Sequence, residues 1–316
     1  MQPPRHKDHH QSDYLPYLGM AAFCEKRFGG KVRKISLDAG FSCPNRDGTV
    51  GVGGCVFCDP ASFSPSRRSK GHSINRQIEE GMRRLKSRYN VERFIAYFQP
   101  ASNTYAPVER LWEVYREAFD HPAVVGLAIG TRPDCAPDEV LDLLAELAAK
   151  KWVSVEYGLQ SSHDRTLELI NRGHTFEAFE DAVLRTRLRS LAVGAHVVLG
   201  LPDESAEDMR QTARHLARLR VDSVKLHNLH AVKGTLLADW VADGKVSLPT
   251  MDQYVGWVVD FIERLPVDCV IDRLSGDAPR EYLVGPEWCL DKSAVRRAIL
   301  AEFERRVTRQ GSLCGQ

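Results

Sequence analysis

Strands and helices alternate along most of this chain, and that alternation restricts the fold more than any other feature. Residues 31–37, 93–98, 124–130, 152–159, 192–199 and 222–229 read as strands. Helical spacing fills the intervals at 74–89, 108–119, 137–150, 165–170, 176–188 and 205–219. Pro107 suits a helix start and Ser205 a helix cap. Strands separated by helices imply parallel βαβ units. The unbroken apolar run at 124–129 fits a sheet covered on both faces. Six units fall two short of a closed eightfold barrel, so the expected fold is α/β, a partial six-unit barrel. The flanks differ. Residues 1–13 read as a disordered leader, with His6, His9 and His10 solvated. Residues 14–30 read as an N-terminal helix ended by Gly29 and Gly30, and 31–230 as the core. Residues 231–316 read as an α+β extension, with helices at 236–241, 251–265 and 293–308 and a strand at 267–274.

The first strand runs into a glycine-rich loop, 38–68, too long to be a plain connection. It carries Cys43, Cys55 and Cys58, three of the chain's 8 cysteines. Clustered thiols of this kind point to metal or redox chemistry rather than to a disulfide framework. Three thiolates leave one position for a non-protein ligand, which suits an iron–sulfur cluster with one open iron. A structural zinc site, with His72 as the nearest histidine, and three inert thiols are the alternatives. The other five cysteines read as buried small hydrophobes.

Composition narrows the rest. Lys plus Arg is 43 and Asp plus Glu is 42, so no global charge draws the chain to nucleic acid or membrane. No stretch approaches the ~20 apolar residues of a membrane helix, and the N-terminus lacks a signal core. A cytoplasmic protein is expected. Basic residues do gather locally. Residues 66–93 hold nine Lys and Arg against three acids. Arg185, Arg187 and Arg189 form a second group, and Arg296, Arg297, Arg305, Arg306 and Arg309 a third. Such patches can hold a polyanion, or are simply solvated helix faces.

A first strand leading into a three-cysteine loop, followed by further βα units, resembles the radical S-adenosylmethionine (radical SAM) superfamily. The run KISLDAGFSCPNRDGTVGVGGCVFC closely resembles its YhcC/YtqA-like family, relatives of the Elp3 catalytic domain. YFQPASNTYAP at 97–107, GLQSSHDRTLELINRGHT at 158–175, HVVLGLPDES at 196–205 and RLSGDAP at 273–279 carry the resemblance further, over about residues 14–308. It implies a [4Fe–4S] cluster on Cys43, Cys55 and Cys58, with SAM on the fourth iron. It also implies a reducing donor such as flavodoxin or ferredoxin, one-electron cleavage of SAM and a 5′-deoxyadenosyl radical.

Candidate cofactor contacts then lie at the strand ends. Gln99, Asn103 and Thr104 follow the second strand, where the superfamily places its contact to the SAM amino group. The usual Gly-Gly-Glu is missing there, and a turn explains NTYAP as well. Glu156 and Gln160 lie on the fourth strand. In related enzymes the Gln and Arg corresponding to Gln160 and Arg172 lie near SAM. His196 stands where some relatives carry an acidic ribose contact, and a satisfied core histidine fits as well. Gly200 either lets backbone approach the adenine or makes a plain turn.

Substrate candidates are Arg132, a bidentate carboxylate clamp or a surface ion pair, and Lys225 with His227, which share one strand face. The Elp3 kinship implies a tRNA wobble-uridine side chain as substrate. The alternatives are radical chemistry on a small carboxylate metabolite or porphyrin-like acid, and a non-catalytic, zinc-stabilised nucleic-acid-binding module.

Overall fold

A computed structural model describes residues 15–64 and 71–316 of the 316-residue chain. Seven strands form one parallel sheet: β1 (Val32–Leu37), β2 (Arg93–Phe98), β3 (Val124–Thr131), β4 (Trp152–Gln160), β5 (Ala192–Leu199), β6 (Ser223–Asn228) and β8 (Val270–Arg273). The first six lie side by side in chain order, as βαβ connections require. The expected strand at 267–274 joins this sheet beside β6 as a seventh member, rather than merely packing against it. The sheet curls into a half-barrel. Its first and last strands meet through side chains: Lys34 Nζ on β1 lies 2.5 Å from Asp272 Oδ2 on β8.

The helices cover the convex face. They are α3 (Ile74–Tyr89), α4 (Val108–Phe119), α5 (Asp138–Ala148), α7 (Phe176–Leu188) and α8 (Ala206–Leu219), after the short α2 (Pro60–Phe63) and with the short α6 (Asp164–Leu169). Ile35, Phe94, Leu127, Val155 and Val197 point outward from the strands into the main core, where Ile78, Leu111, Leu144, Phe179 and Leu216 of the helices meet them. The expected cap at Ser205 is present as a reciprocal capping box with Asp208.

Helix α1 (Met20–Phe28) closes the N-terminal end of the half-barrel, its Phe23 and Phe28 rings packed on Trp152 at 5.7 and 6.1 Å. It is shorter than the expected 14–30. Pro16 cannot donate within a helix, and the backbone at Leu18 and Gly19 is spent on β8, where the Ile271 N–H donates to the Leu18 carbonyl at 2.8 Å. Residues 1–13 of the expected leader lie outside the described residues, as do Arg67, Arg68 and Lys70.

Beyond β6, β7 (Ala231–Val232) pairs antiparallel with β9 (Leu283–Gly285). Helices α9 (Leu236–Ala242), α10 (Met251–Glu263) and α11 (Lys292–Arg306) complete the chain. Buried Gln310 ties the ends together. It accepts from the Leu18 N–H at 2.7 Å and donates to the carbonyls of Pro266 and Cys269 at 2.6 and 2.7 Å. Cys24, Cys135, Cys269 and Cys289 are buried as expected, whereas Cys314 is exposed.

Candidate cluster and cofactor site

The cysteine loop leaves the C-terminal end of β1 and folds on itself. The N–H groups of Arg46 and Asp47 donate to the Cys43 carbonyl at 2.8 and 3.1 Å, and the Cys58 N–H donates to the Cys55 carbonyl at 2.9 Å. The loop is then fastened to the ends of β4 and α6. Val56 N–H donates to the Ile170 carbonyl at 3.1 Å, and the Leu237 N–H of α9 donates to the Val56 carbonyl at 2.9 Å. Asn45 Nδ2 donates to the Asn171 carbonyl at 2.5 Å and lies 3.6 Å from Cys55 Sγ. Arg172 Nη1 donates toward the same sulfur at 3.5 Å.

Burial pushes the Cys58 thiol up to about 12, and neighbouring Cys55 adds to the shift, while Arg46 and Arg172 oppose it. Thiols gathered this way resist ionising unless positive charge arrives with a ligand. The donor set fits thiolate ligation of an iron–sulfur cluster: three thiols on one loop, with N–H groups aimed at sulfur. His72, the histidine that would complete a zinc site, faces Glu80 at 3.3 Å.

Arg172 joins this loop to the fourth strand. Its Nε and Nη2 donate to the Gly158 carbonyl at 3.1 and 2.6 Å. Gln160, two residues on, has φ 77°, a left-handed conformation that costs a non-glycine residue energy, at a break in strand register.

Arg132 does not act as a free clamp. It is 2% exposed and bidentate to Asp134 at 2.9 and 2.7 Å, and it also donates to the Arg172 and Gly173 carbonyls at 2.8 and 3.1 Å. Its donors hold the turn that carries Arg172, and Asp134 takes the bidentate face of its guanidinium.

The residues after β2 divide. Gln99 faces the interior, accepting from Ser36 Oγ at 3.3 Å. Asn103 and Thr104 are buried turn residues. Asn103 Nδ2 donates to the carbonyls of Phe98, Pro100 and Gly130 at 3.2, 3.0 and 2.8 Å, and the Thr104 hydroxyl lies 2.6 Å from that of Thr131. Both side chains are engaged within the turn.

Inside the half-barrel lies an ion network. Glu156 accepts from Lys34 Nζ at 2.8 Å, from Lys225 Nζ, and lies 3.0 Å from His196 Nε2. Asp272 completes it, 3.4 Å from Lys225 Nζ, whose ammonium sits 3.8 Å over the Tyr97 ring. Burial opposes ionisation of Glu156, yet Lys225 and Lys34 hold its carboxyl well below the usual range. Burial, reinforced by Lys225, brings His196 down to about 4, so it is neutral. Two cations therefore balance two carboxylates, and neither Lys225 nor Glu156 is free to meet a ligand as a lone charge. Lys34, Tyr97 and Asp272 were not singled out in the sequence. The alternation of β1 already pointed Lys34 inward, but the place of Asp272 depended on β8 joining the sheet.

His227 lies near His196, their ring centroids 5.8 Å apart, with its Nε2 buried and unpartnered. Gly200 has φ 86°, and a side chain there would meet the Trp257 ring at 2.9 Å. Turn geometry and packing account for that glycine.

The surface patches also divide. Arg185, Arg187 and Arg189 are paired with Asp181, Asp222 and Asp142. Arg305 and Arg306 are paired with Glu302, whereas Arg296, Arg297 and Arg309 are exposed. On α3, Arg83, Arg84, Lys86 and Arg88 are exposed. Among the described residues no helix is long and apolar enough to cross a membrane.

Comparison with known proteins agrees with this architecture. Residues 46–216 match the family model of the radical SAM superfamily, and 221–305 that of the Radical_SAM C-terminal domain. The chain is 41% identical to the uncharacterized protein YtqA of Bacillus subtilis, covering 90% of this chain and 89% of that protein. It is 28% identical to a tRNA uridine(34) acetyltransferase of Dehalococcoides mccartyi, over 50% of this chain and 35% of that protein. Among solved structures, the archaeal Methanocaldococcus infernus Elp3 shares the fold with a TM-score of 0.69 at 17% identity, over 88% of this chain and 64% of that one. A [4Fe–4S] cluster and SAM are the cofactors of the matched family. With its three-thiol loop at the C-terminal end of a parallel half-barrel, this chain belongs to the radical SAM superfamily.

Proposed function

We propose that this radical SAM enzyme modifies the side chain of a wobble uridine in tRNA. The observation that carries the reading is a basic edge at the mouth of the interior cavity. That cavity, of about 620 Å³, is lined at one side by Arg33, Leu85 and Tyr89. Exposed Arg83, Arg84, Lys86 and Arg88 continue the same helix. Arg33 and Arg88 sit over the Tyr89 ring at 4.5 and 5.2 Å. Exposed basic residues on a helix beside an aromatic-lined opening suit a nucleic acid that inserts one nucleotide. Similarity to a tRNA uridine(34) acetyltransferase supports the same substrate.

Cys43, Cys55 and Cys58 would hold the cluster, which when reduced supplies the electron that cleaves SAM. Arg172 and Asn45 would donate to the ligand sulfur, and Gln99 and Gln160, at the strand ends, would be available to the bound cofactor. The ion network under the Tyr97 ring ties β1, β4, β6 and β8 together, and a fixed interior limits the side reactions open to a radical. Flavodoxin or ferredoxin would deliver the electron.

The test is mass spectrometry of tRNA nucleosides from a strain lacking the gene, paired with SAM cleavage by the anaerobically reconstituted protein. The expected result is loss of one wobble-uridine product, restored by wild type and not by Cys55→Ala. Cleavage of SAM with an unchanged nucleoside profile would sink the tRNA reading. A small carboxylate metabolite or porphyrin-like acid is then the substrate, a reading favoured by the cavity's small-molecule size and by the neutralised Arg185–Arg189 patch. Substrate binding that ignores salt separates it from tRNA binding, which weakens steeply as salt rises.

A further inference from the structure

We infer that Arg273 is the anion-recognising residue of the interior cavity and that the substrate group it receives is a carboxylate. The inference rests on the proposed nucleotide-modifying role only for where the carboxylate comes from.

The argument is one of charge left over. The cavity runs from Ser62 and Phe63, just after Cys58, to Tyr97, Lys225 and Arg273. Three of the four other cations along it face carboxylates. Lys34 and Lys225 are balanced by Glu156 and Asp272, and Lys292 pairs with Asp277 at 2.7 Å. Arg33 lies over the Tyr89 ring. Arg273 closes β8 beside Lys225 and is half-buried, and among the described residues its side chain has no hydrogen bond or ion pair. A guanidinium in such a place, with five donors and no counter-charge, is a site for a planar anion.

His227 is buried close to the same cation. Burial and then Arg273 itself hold His227 well below its ordinary value, so the ring is neutral and adds no competing charge beside the guanidinium. The sequence candidates for this role, Arg132 and Lys225, are both neutralised by internal carboxylates. Among the described cations along the cavity, Arg273 has neither a carboxylate nor a ring as partner.

The experiment is calorimetric titration of the full-length, cluster-bearing protein, under nitrogen, with 5-carboxymethyluridine, its methyl ester and glutarate. Wild type is expected to bind the acid about tenfold or more tightly than the ester, the discrimination a lost charged hydrogen bond brings. Arg273→Gln should bind the two alike, and Arg273→Lys should keep part of the preference. A thermal melt of each variant checks folding, and the acid–ester comparison on wild type needs no variant. Retained preference in Arg273→Gln, or wild type that treats acid and ester alike or binds no carboxylate, overturns the assignment. Glutarate binding that depends on Arg273, with neither nucleoside bound, upholds Arg273 and removes the nucleotide reading. Normal tRNA modification by Arg273→Gln removes Arg273 and leaves that reading standing.

Discussion

Arg172 reaches Cys55: one arm of its guanidinium lies 3.5 Å from the Cys55 sulfur while the other two nitrogens hold the Gly158 carbonyl. A single side chain thus sets the distance between the cysteine loop and the end of β4. Hydrogen bonds to ligand sulfur tune both the affinity and the potential of an iron–sulfur centre. Arg172→Ala should therefore retain about 10–100-fold less metal affinity, the usual cost of losing such a partner. Iron and sulfide per chain after reconstitution, with the electron paramagnetic resonance spectrum of the reduced protein, check this. Wild-type values for both would remove Arg172 from the cluster's surroundings.

Gly158→Ala should mimic that loss without touching a charge. A Cβ at Gly158 falls 2.7 Å from Arg172 Nη2 and 2.9 Å from Gln160 Nε2, so both side chains must shift. Iron content should drop in parallel with Arg172→Ala, and combining the two changes should add little, because both act through one guanidinium. Full additivity would show that Gly158 serves another purpose.

Glu156→Gln should cost about 3–5 kcal/mol in urea unfolding, since it leaves Lys225 and Lys34 to share the one remaining carboxylate of Asp272. Adding Lys225→Met should restore part of that loss. The native carboxyls of Glu156 and Asp272 lie below their unfolded values of 4.5 and 3.8, burial opposing the shift and the two lysines driving it. Their contribution is complete above those unfolded values and disappears as pH falls through the lowered native ones. The stability of the wild type should fall on the acid side of about pH 4.5, and the double variant should show a shallower fall.

Glu204 works in the opposite sense. Burial raises its carboxyl to about 7, with Ser161 opposing the shift through a hydrogen bond. The folded state therefore holds a proton that the unfolded state has released between pH 4.5 and 7. Stability from this group rises as pH falls from about 7 toward 4.5, and above pH 7 it is a constant penalty. Glu204→Gln should flatten the melting temperature across that window and raise it at pH 8. An unchanged slope would place Glu204 outside the titrating groups.

Much of this was legible locally. Strand and helix periodicity located β1 to β6 and their helices, because burial on both faces of a parallel sheet leaves short apolar runs whose partners are chain neighbours. The Ser205 cap and the cysteine loop were legible for the same reason, each being a local pattern. Arg132 shows where locality was available and went unused: its partner, Asp134, is two residues away.

What the sequence by itself determined is the order of strands and helices and the thiol chemistry of the 38–68 loop. Tertiary structure alone decided which charges are free. Lys34 meets Asp272 across 238 residues, and Lys225 meets Glu156 across 69. Those pairings depend on the curl that brings β8 round to β1, and curl is a sum of small twists over the whole sheet. Whether a cation is neutralised depends on its few ångströms of surroundings, and in a half-barrel those surroundings come from strands far apart in the chain. Arg273 is left unpaired by that geometry, not by its neighbours in sequence.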